Sequence, residues 1–236
     1  MSYLQTDNCV IYFGSEKDSL QINGSYATEK FLTLKNKIET GTNASLHTLF
    51  FLKQTHSATV FTLNNKNNLT QPLDLFQHEG DAIITQEKNI GIGIATADCF
   101  PIVLVDQKNQ AIGIIHAGWR GLHAKIITTT INAMQKSFKT NPAQLQVYCG
   151  PSALVCCYEV QADFLSYFPE SLIEKRADKL FFNARRAALF ELSANHLPDT
   201  AINIKNNVCT ICTPGFCSVR KQKENAGRQP SVVFLS

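Results

Sequence analysis

The chain has 236 residues, 44% hydrophobic and only 17% charged, with a formal net charge of +3 at pH 7. Average domains carry about 25% charged residues, so this composition excludes a disordered chain and predicts one core-rich domain over residues 1–236. The small net charge argues against a nucleic-acid partner or a membrane surface, and no charge-free apolar run of about 18 residues offers a transmembrane helix.

The opening residues, MSYLQTDNCVIYFG, lack a basic stretch leading into an apolar one, so a cytoplasmic chain is expected rather than a secreted one. Short runs rich in β-branched residues predict strands over 10–13, 48–52, 59–63, 82–85, 90–95, 101–105, 111–115, 145–149 and 231–235. Polar, Asn-rich stretches predict loops over 39–45, 64–68 and 220–228. A helix is predicted over 121–138, where Leu122, Ile126, Ile131, Met134 and Phe138 share one face. A second is predicted over 184–196, with Ala187, Leu189, Phe190 and Leu192 as core positions, and a short third over 161–168. Many strands and few helices, without regular βαβ alternation, point to an α+β domain rather than a doubly wound sheet.

The densest region is GDAIITQEKNIGIGIATADCFPIVLVDQKNQAIGIIHAGWRG, residues 80–121. Strands over 101–105 and 111–115 flank the polar turn DQKNQ and predict a hairpin. A four-residue loop sets Cys99 opposite His116, and a five-residue loop sets Phe100 there. In either register a thiol and an imidazole meet at the open end, close enough to share a metal. His56, in KQTHSAT, is a possible third ligand, because catalytic zinc commonly takes three protein ligands and leaves a fourth position open. The spacing of His56, Cys99 and His116 is not itself a metal motif; each could instead be an ordinary core or surface residue.

Gly118 and Gly121 permit a sharp strand-to-helix turn after His116. The helix N-terminus and Arg120 together suit an anion such as phosphate, unless Arg120 pairs with a neighbouring carboxylate. Arg228, before the last strand, either reaches a ligand or caps a loop. Cys156 and Cys157 are expected to open a helix in which Glu159 acts as acid/base or complements the helix dipole. Asp81 and Asp98 are further acid/base candidates. The eight cysteines are expected as reduced thiols, some of them metal ligands. Cys209 and Cys212 form a CTIC pair without a second CxxC and read as structural thiols, while His47, His78, His123 and His196 read as surface residues.

QTHSATV, GDAIIT, TADCFPIVLVD, HAGWRG, GPSALVCCYEV, CTICTPGFCSVRK and AGRQPSVVFL occur in this order across residues 54–235. As a set they resemble the YfiH-like family, long labelled multicopper polyphenol oxidase or laccase domain and now including purine nucleoside phosphorylases. The resemblance implies a single α/β/β/α layered domain with mixed β-sheets. It also implies that His56, Cys99 and His116 are zinc ligands. Two stretches depart from the family pattern. YFGSEKDSLQINGSYATEKF lacks the arginine and the Asn-Leu-Gly expected near the first strand, and the tail has Val219 and Lys221 where an aromatic and an arginine are usual.

The implied activity is zinc-dependent phosphorolysis of adenosine, inosine, guanosine or methylthioadenosine, with adenosine deamination as a second reaction. Purine nucleosides and phosphate are then the partners, and the oligomeric state stays open. Three other readings stand beside it. One is a copper-dependent phenol oxidase, for which six histidines offer few ligands. Another is a cysteine hydrolase or amidase acting on cell-wall precursors, with Cys99 activated by His116. The last is a non-catalytic zinc-binding protein, motivated by the departing N-terminal segment.

Overall fold

The structure is a computed structural model in which residues 2–6, 8–64 and 69–236 are described. Each expected strand is present, with ends shifted by at most two residues. The two longer expected helices occupy residues Ile126–Phe138 and Ala184–Ala194. Residues 65–68 of the expected 64–68 loop lie outside the described residues.

Alternation along the strands decides the layering. In Cys9–Phe13, Ile11 and Phe13 point to one face and Val10 and Tyr12 to the other, yet all four are buried. The same holds for Phe50 and Leu52 against Leu49 and Phe51 in Thr48–Lys53. A strand buried on both faces reads as a continuous apolar run. These strands belong to a six-stranded mixed sheet ordered Ser2–Thr6, Cys9–Phe13, Gln229–Leu235, Ile90–Thr96, Thr48–Lys53, Leu73–Glu79. A second mixed sheet runs Ile202–Asn203, Gln146–Cys149, Phe100–Asp106, Ala111–Ala117, Ala82–Thr85, Val60–Leu63.

The inner faces of the two sheets meet through Phe50, Ile92, Ile94 and Val233 on one side and Ile83, Val103, Ile112 and Ile114 on the other. Burying each such side chain contributes about 1.5–3 kcal/mol. The outer face of the first sheet is covered by helix Thr28–Thr42 through Phe31, Leu34 and Ile38. Helices Ile126–Phe138 and Ala184–Ala194 cover the outer face of the second through Ile127, Ile131, Met134, Ala188 and Leu192. The result is an α/β/β/α stack. Gly93 is required within it, since a Cβ there would lie 2.2 Å from the Phe51 ring.

Several expectations need correction, among them Phe190, which is exposed rather than in the core, and the 220–228 loop, which opens inside helix Val219–Gln222. The hairpin pairs Asp106 with Ala111, so Pro101 faces His116, one step beyond the register that set Phe100 there and two beyond the one that set Cys99 there. The Asp106 carboxylate accepts hydrogen bonds from the backbone and side-chain nitrogens of Asn109, which keeps Asp106 as the last strand residue. The helix expected over 121–138 is two helices, Trp119–His123 and Ile126–Phe138, with Lys125 between them in the left-handed region at φ 61°. This break lets Trp119 pack on Phe164 and Tyr167 while the longer helix stays on the sheet. The expected 39–45 loop begins only at Asn43, where a left-handed residue ends helix Thr28–Thr42. Cys156 and Cys157 lie in a turn, and Glu159 belongs to a strand paired with Lys179–Phe182 rather than to a helix. Among the described residues, no helix is long and apolar enough to cross a membrane.

Candidate metal centre

Three chain segments converge at one end of the second sheet. Strand Ala111–Ala117 carries His116, which is buried. The bend before Phe100–Asp106 carries Cys99, and the loop after Thr48–Lys53 carries His56, which is exposed. One donor atom from each of the three lies within 4.8 Å of the others. Cys99 Sγ is 3.8 Å from His56 Nε2, and the two imidazole rings stand 4.8 Å apart at 70°.

Asp81 organises this meeting. Its side chain has no solvent exposure. The carboxylate accepts hydrogen bonds from Thr55 N and Oγ1, His56 N, Ser57 N and Oγ, and His116 Nδ1 at 2.6–3.2 Å. The His56 loop is therefore wrapped around a carboxylate, with His56 itself at φ 60°. Because His116 Nδ1 is engaged by Asp81, its Nε2 is the nitrogen left for the cluster. Burial alone would raise the Asp81 pKa, but the bonds from His116 and Ser57 hold it well below the usual carboxylate range. Burial also opposes charge on Cys99 and His116. Their mutual attraction wins, lowering the thiol and raising the imidazole, with Asp81 adding to the second effect.

Cys99 is aimed by its predecessor. Asp98 adopts φ 81°, and its carboxylate accepts from Thr210 Oγ1 at 2.7 Å and Arg220 N at 2.8 Å. Gly118 leaves the space above the cluster, since a Cβ there would stand 2.9 Å from His56 Cδ2 and 3.2 Å from Cys99 Sγ.

The other sequence candidates fall at different distances from this centre. Arg120 is exposed, stacks its guanidinium 4.4 Å over the Trp119 ring, and has no ion pair among the described residues. Its helix spans only five residues. Glu159 pairs with Lys179 at 2.9 Å. Arg228 donates to the Ala226 and Gly227 carbonyls and accepts a place beside Ser19, to whose Oγ its backbone N–H donates. Two residues the sequence reading did not single out, Tyr158 and Arg220, lie next to the Asp98–Cys99 corner. The Tyr158 hydroxyl feels the charges of Cys99 and Asp98, and Arg220 lies 4.5 Å over the Tyr158 ring while donating to the Glu159 carbonyl. Arg220 is the arginine in CSVRK.

A family model described as multi-copper polyphenol oxidoreductase laccase matches residues 27–236. The chain belongs to this laccase-like family. A purine nucleoside phosphorylase of Aquifex aeolicus is 38% identical over 182 residues, covering 77% of this chain and 81% of its own. One from Clostridium acetobutylicum is 28% identical over 234 residues, covering 97% and 92%. A protein named adenosine deaminase RL5, from an unknown prokaryote, is 29% identical over 203 residues, covering 80% and 76%. Among solved structures, the Bacillus licheniformis hypothetical protein YfiH superposes with a TM-score of 0.85 at 19% identity, covering 97% of this chain and 93% of that one. At that identity the likeness concerns the fold, and the layered architecture is that of YfiH-like proteins.

Two imidazoles and one thiolate, with a buried carboxylate orienting one imidazole, form a donor set suited to zinc with one position left open. Copper takes the same donors. Among the described residues, the other cluster able to hold a metal is made only of thiols, Cys156, Cys157, Cys209 and Cys212.

Proposed function

We propose that this chain is a zinc-dependent purine nucleoside phosphorylase. It cleaves adenosine, inosine, guanosine or methylthioadenosine with phosphate, giving free base and the sugar 1-phosphate. The observation that carries this reading is the convergence of His56, Cys99 and His116 on the Asp81 hub, in a chain whose relatives are named purine nucleoside phosphorylases. Adenosine deamination is a second activity of the same centre, supported by the relative named adenosine deaminase.

His56 Nε2, Cys99 Sγ and His116 Nε2 would hold the zinc, which supplies a Lewis-acidic charge with an open coordination position. Asp81 fixes the His116 tautomer and, through three backbone N–H groups, the His56 loop. In phosphorolysis the C1′–N bond breaks with its electron pair on the purine, a C1′–O bond forms to phosphate, and the base is protonated. Arg120 has no carboxylate partner among the described residues and is pre-stacked on Trp119, which suits it to hold the phosphate against C1′. Asp98 and Asp81 are held by their donors and act as positioning residues, which leaves Glu159, paired with Lys179, as the remaining acid/base candidate. The eight free thiols suit a reducing, cytoplasmic setting.

A multi-copper oxidase needs several imidazole-rich sites, and the second cluster here offers none. A cysteine hydrolase needs Cys99 unligated, and zinc held by His56, Cys99 and His116 would withdraw the thiolate from that role. The test is chromatographic: zinc-loaded protein is incubated with adenosine and with inosine, with and without phosphate. Adenine and hypoxanthine released only with phosphate, and not by His116→Ala, is the expected result. No product from folded, zinc-replete protein overturns the reading and leaves the amidase or the non-catalytic zinc protein in its place.

A further inference from the structure

Cys156 and Cys157 lie about fifty positions before Cys209 and Cys212 in the chain, yet the four sulfurs lie within 4.8 Å of one another. Backbone bonds bring the segments together. Ser152 N donates to the Val208 carbonyl and Thr210 N to the Ser152 carbonyl, at 3.1 and 3.0 Å. Asn207 Nδ2 adds bonds to the Gly150 carbonyl and Ser152 Oγ. The turn over 155–157, closed by Cys157 N and Tyr158 N on the Leu154 carbonyl, puts two adjacent thiols beside the CTIC pair. The sequence offers no second CxxC, so the pair reads there as isolated structural thiols; the partners are supplied by the fold.

The spacing of this tetrad points to a cation. Four thiolates around a zinc at about 2.3 Å stand about 3.8 Å apart, and Cys156 Sγ is 3.9 Å from Cys212 Sγ. Arg176, itself paired with Glu174, donates to the Cys156 carbonyl at 3.2 Å and braces the turn that carries the first two thiols.

We propose that Cys156, Cys157, Cys209 and Cys212 form a closed, structural four-thiolate zinc site, separate from the His56–Cys99–His116 centre. Its role is to lock the corner that carries Cys99. Ala153, four residues before Cys157, donates its N–H to the Asp98 carbonyl, and Thr210, next to Cys209, donates its hydroxyl to the Asp98 carboxylate. Both strands of the zinc knot thus end on the residue that sets the Cys99 position. The site is reached from solvent, as Cys156 and Cys212 are exposed. It takes a thiophilic divalent ion and has no open position for substrate.

The test uses the full chain, crystallised with zinc and reductant, with diffraction recorded on either side of the zinc absorption edge. An anomalous peak at the centre of the four sulfurs is expected, whether or not a second peak lies between His56, Cys99 and His116. In solution, Cys156→Ser/Cys212→Ser should lose one zinc equivalent per chain and lower the melting temperature, while His116→Ala keeps that equivalent. Cobalt added to zinc-free His116→Ala should show intense thiolate-to-cobalt charge transfer. Four separate reduced thiols, or a disulfide between two of them, in the density of the zinc-treated crystal overturns the proposal. Zinc content unchanged in the folded double variant does the same.

Discussion

At the scale of single residues, Asp81 holds more of the centre together than any ligand does. It fixes one imidazole by Nδ1 and the loop of the other by backbone N–H groups. Asp81→Asn is expected to weaken zinc binding about 10- to 100-fold, read by chelator competition. It should also cost about 3–5 kcal/mol of stability, since a buried charged partner is left uncompensated. The depressed Asp81 pKa adds stability above the unfolded carboxylate value of about 3.9, and that stability is lost as pH falls from there. Urea unfolding below about pH 4 should therefore show a shallower acid loss in Asp81→Asn than in the parent. Gly118→Ala tests the space above the ligands. Its φ of −71° accepts alanine, so the effect comes from the Cβ at 2.9 Å from His56. Turnover and zinc affinity should fall together while the melting temperature moves little; an unchanged zinc affinity would show that His56 does not sit at the metal.

Among the elements, helix Thr28–Thr42 offers the cleanest separation of fold from site. Phe31 packs edge-on against Phe51 and Phe76 at 5.1 and 5.7 Å, on the sheet face opposite the inter-sheet core. Phe31→Ala should cost about 3–5 kcal/mol in denaturant unfolding, yet leave zinc content per folded chain unchanged. Most strands are legible in the sequence because both of their faces are buried, so each appears as an unbroken apolar run. Helix Thr28–Thr42 is harder to read, since Phe31, Leu34 and Ile38 are its sole buried residues and the polar ETGT end resembles a loop. Leu73–Glu79 carries no fully buried residue and so gives no apolar run. The candidate centre is legible as three separate residues, because the hairpin brings Cys99 and His116 to one end in any plausible register. The Asp81 hub is not legible, as its donors lie 24–35 positions away. The tetrad is hidden for the same reason, its halves joined by a bridge between Ser152 and Cys209.

For the whole molecule, the four layers place the ligand-bearing loops at an end of the stack and leave the interior to packing. The inter-sheet core is predominantly apolar, and the candidate centre sits on segments that leave it: the His56 loop, the Cys99 bend and the end of the His116 strand. Such a division lets one scaffold carry different activities by changing its loops. The most direct measurement strips the protein of metal, restores zinc stepwise, and follows phosphate-dependent hypoxanthine release from inosine. The account predicts negligible release without metal and a rise with zinc that saturates when the His56–Cys99–His116 centre is filled, with no rise in His116→Ala. Release by the metal-free protein at the full rate, or none from the folded zinc-replete protein, would contradict it.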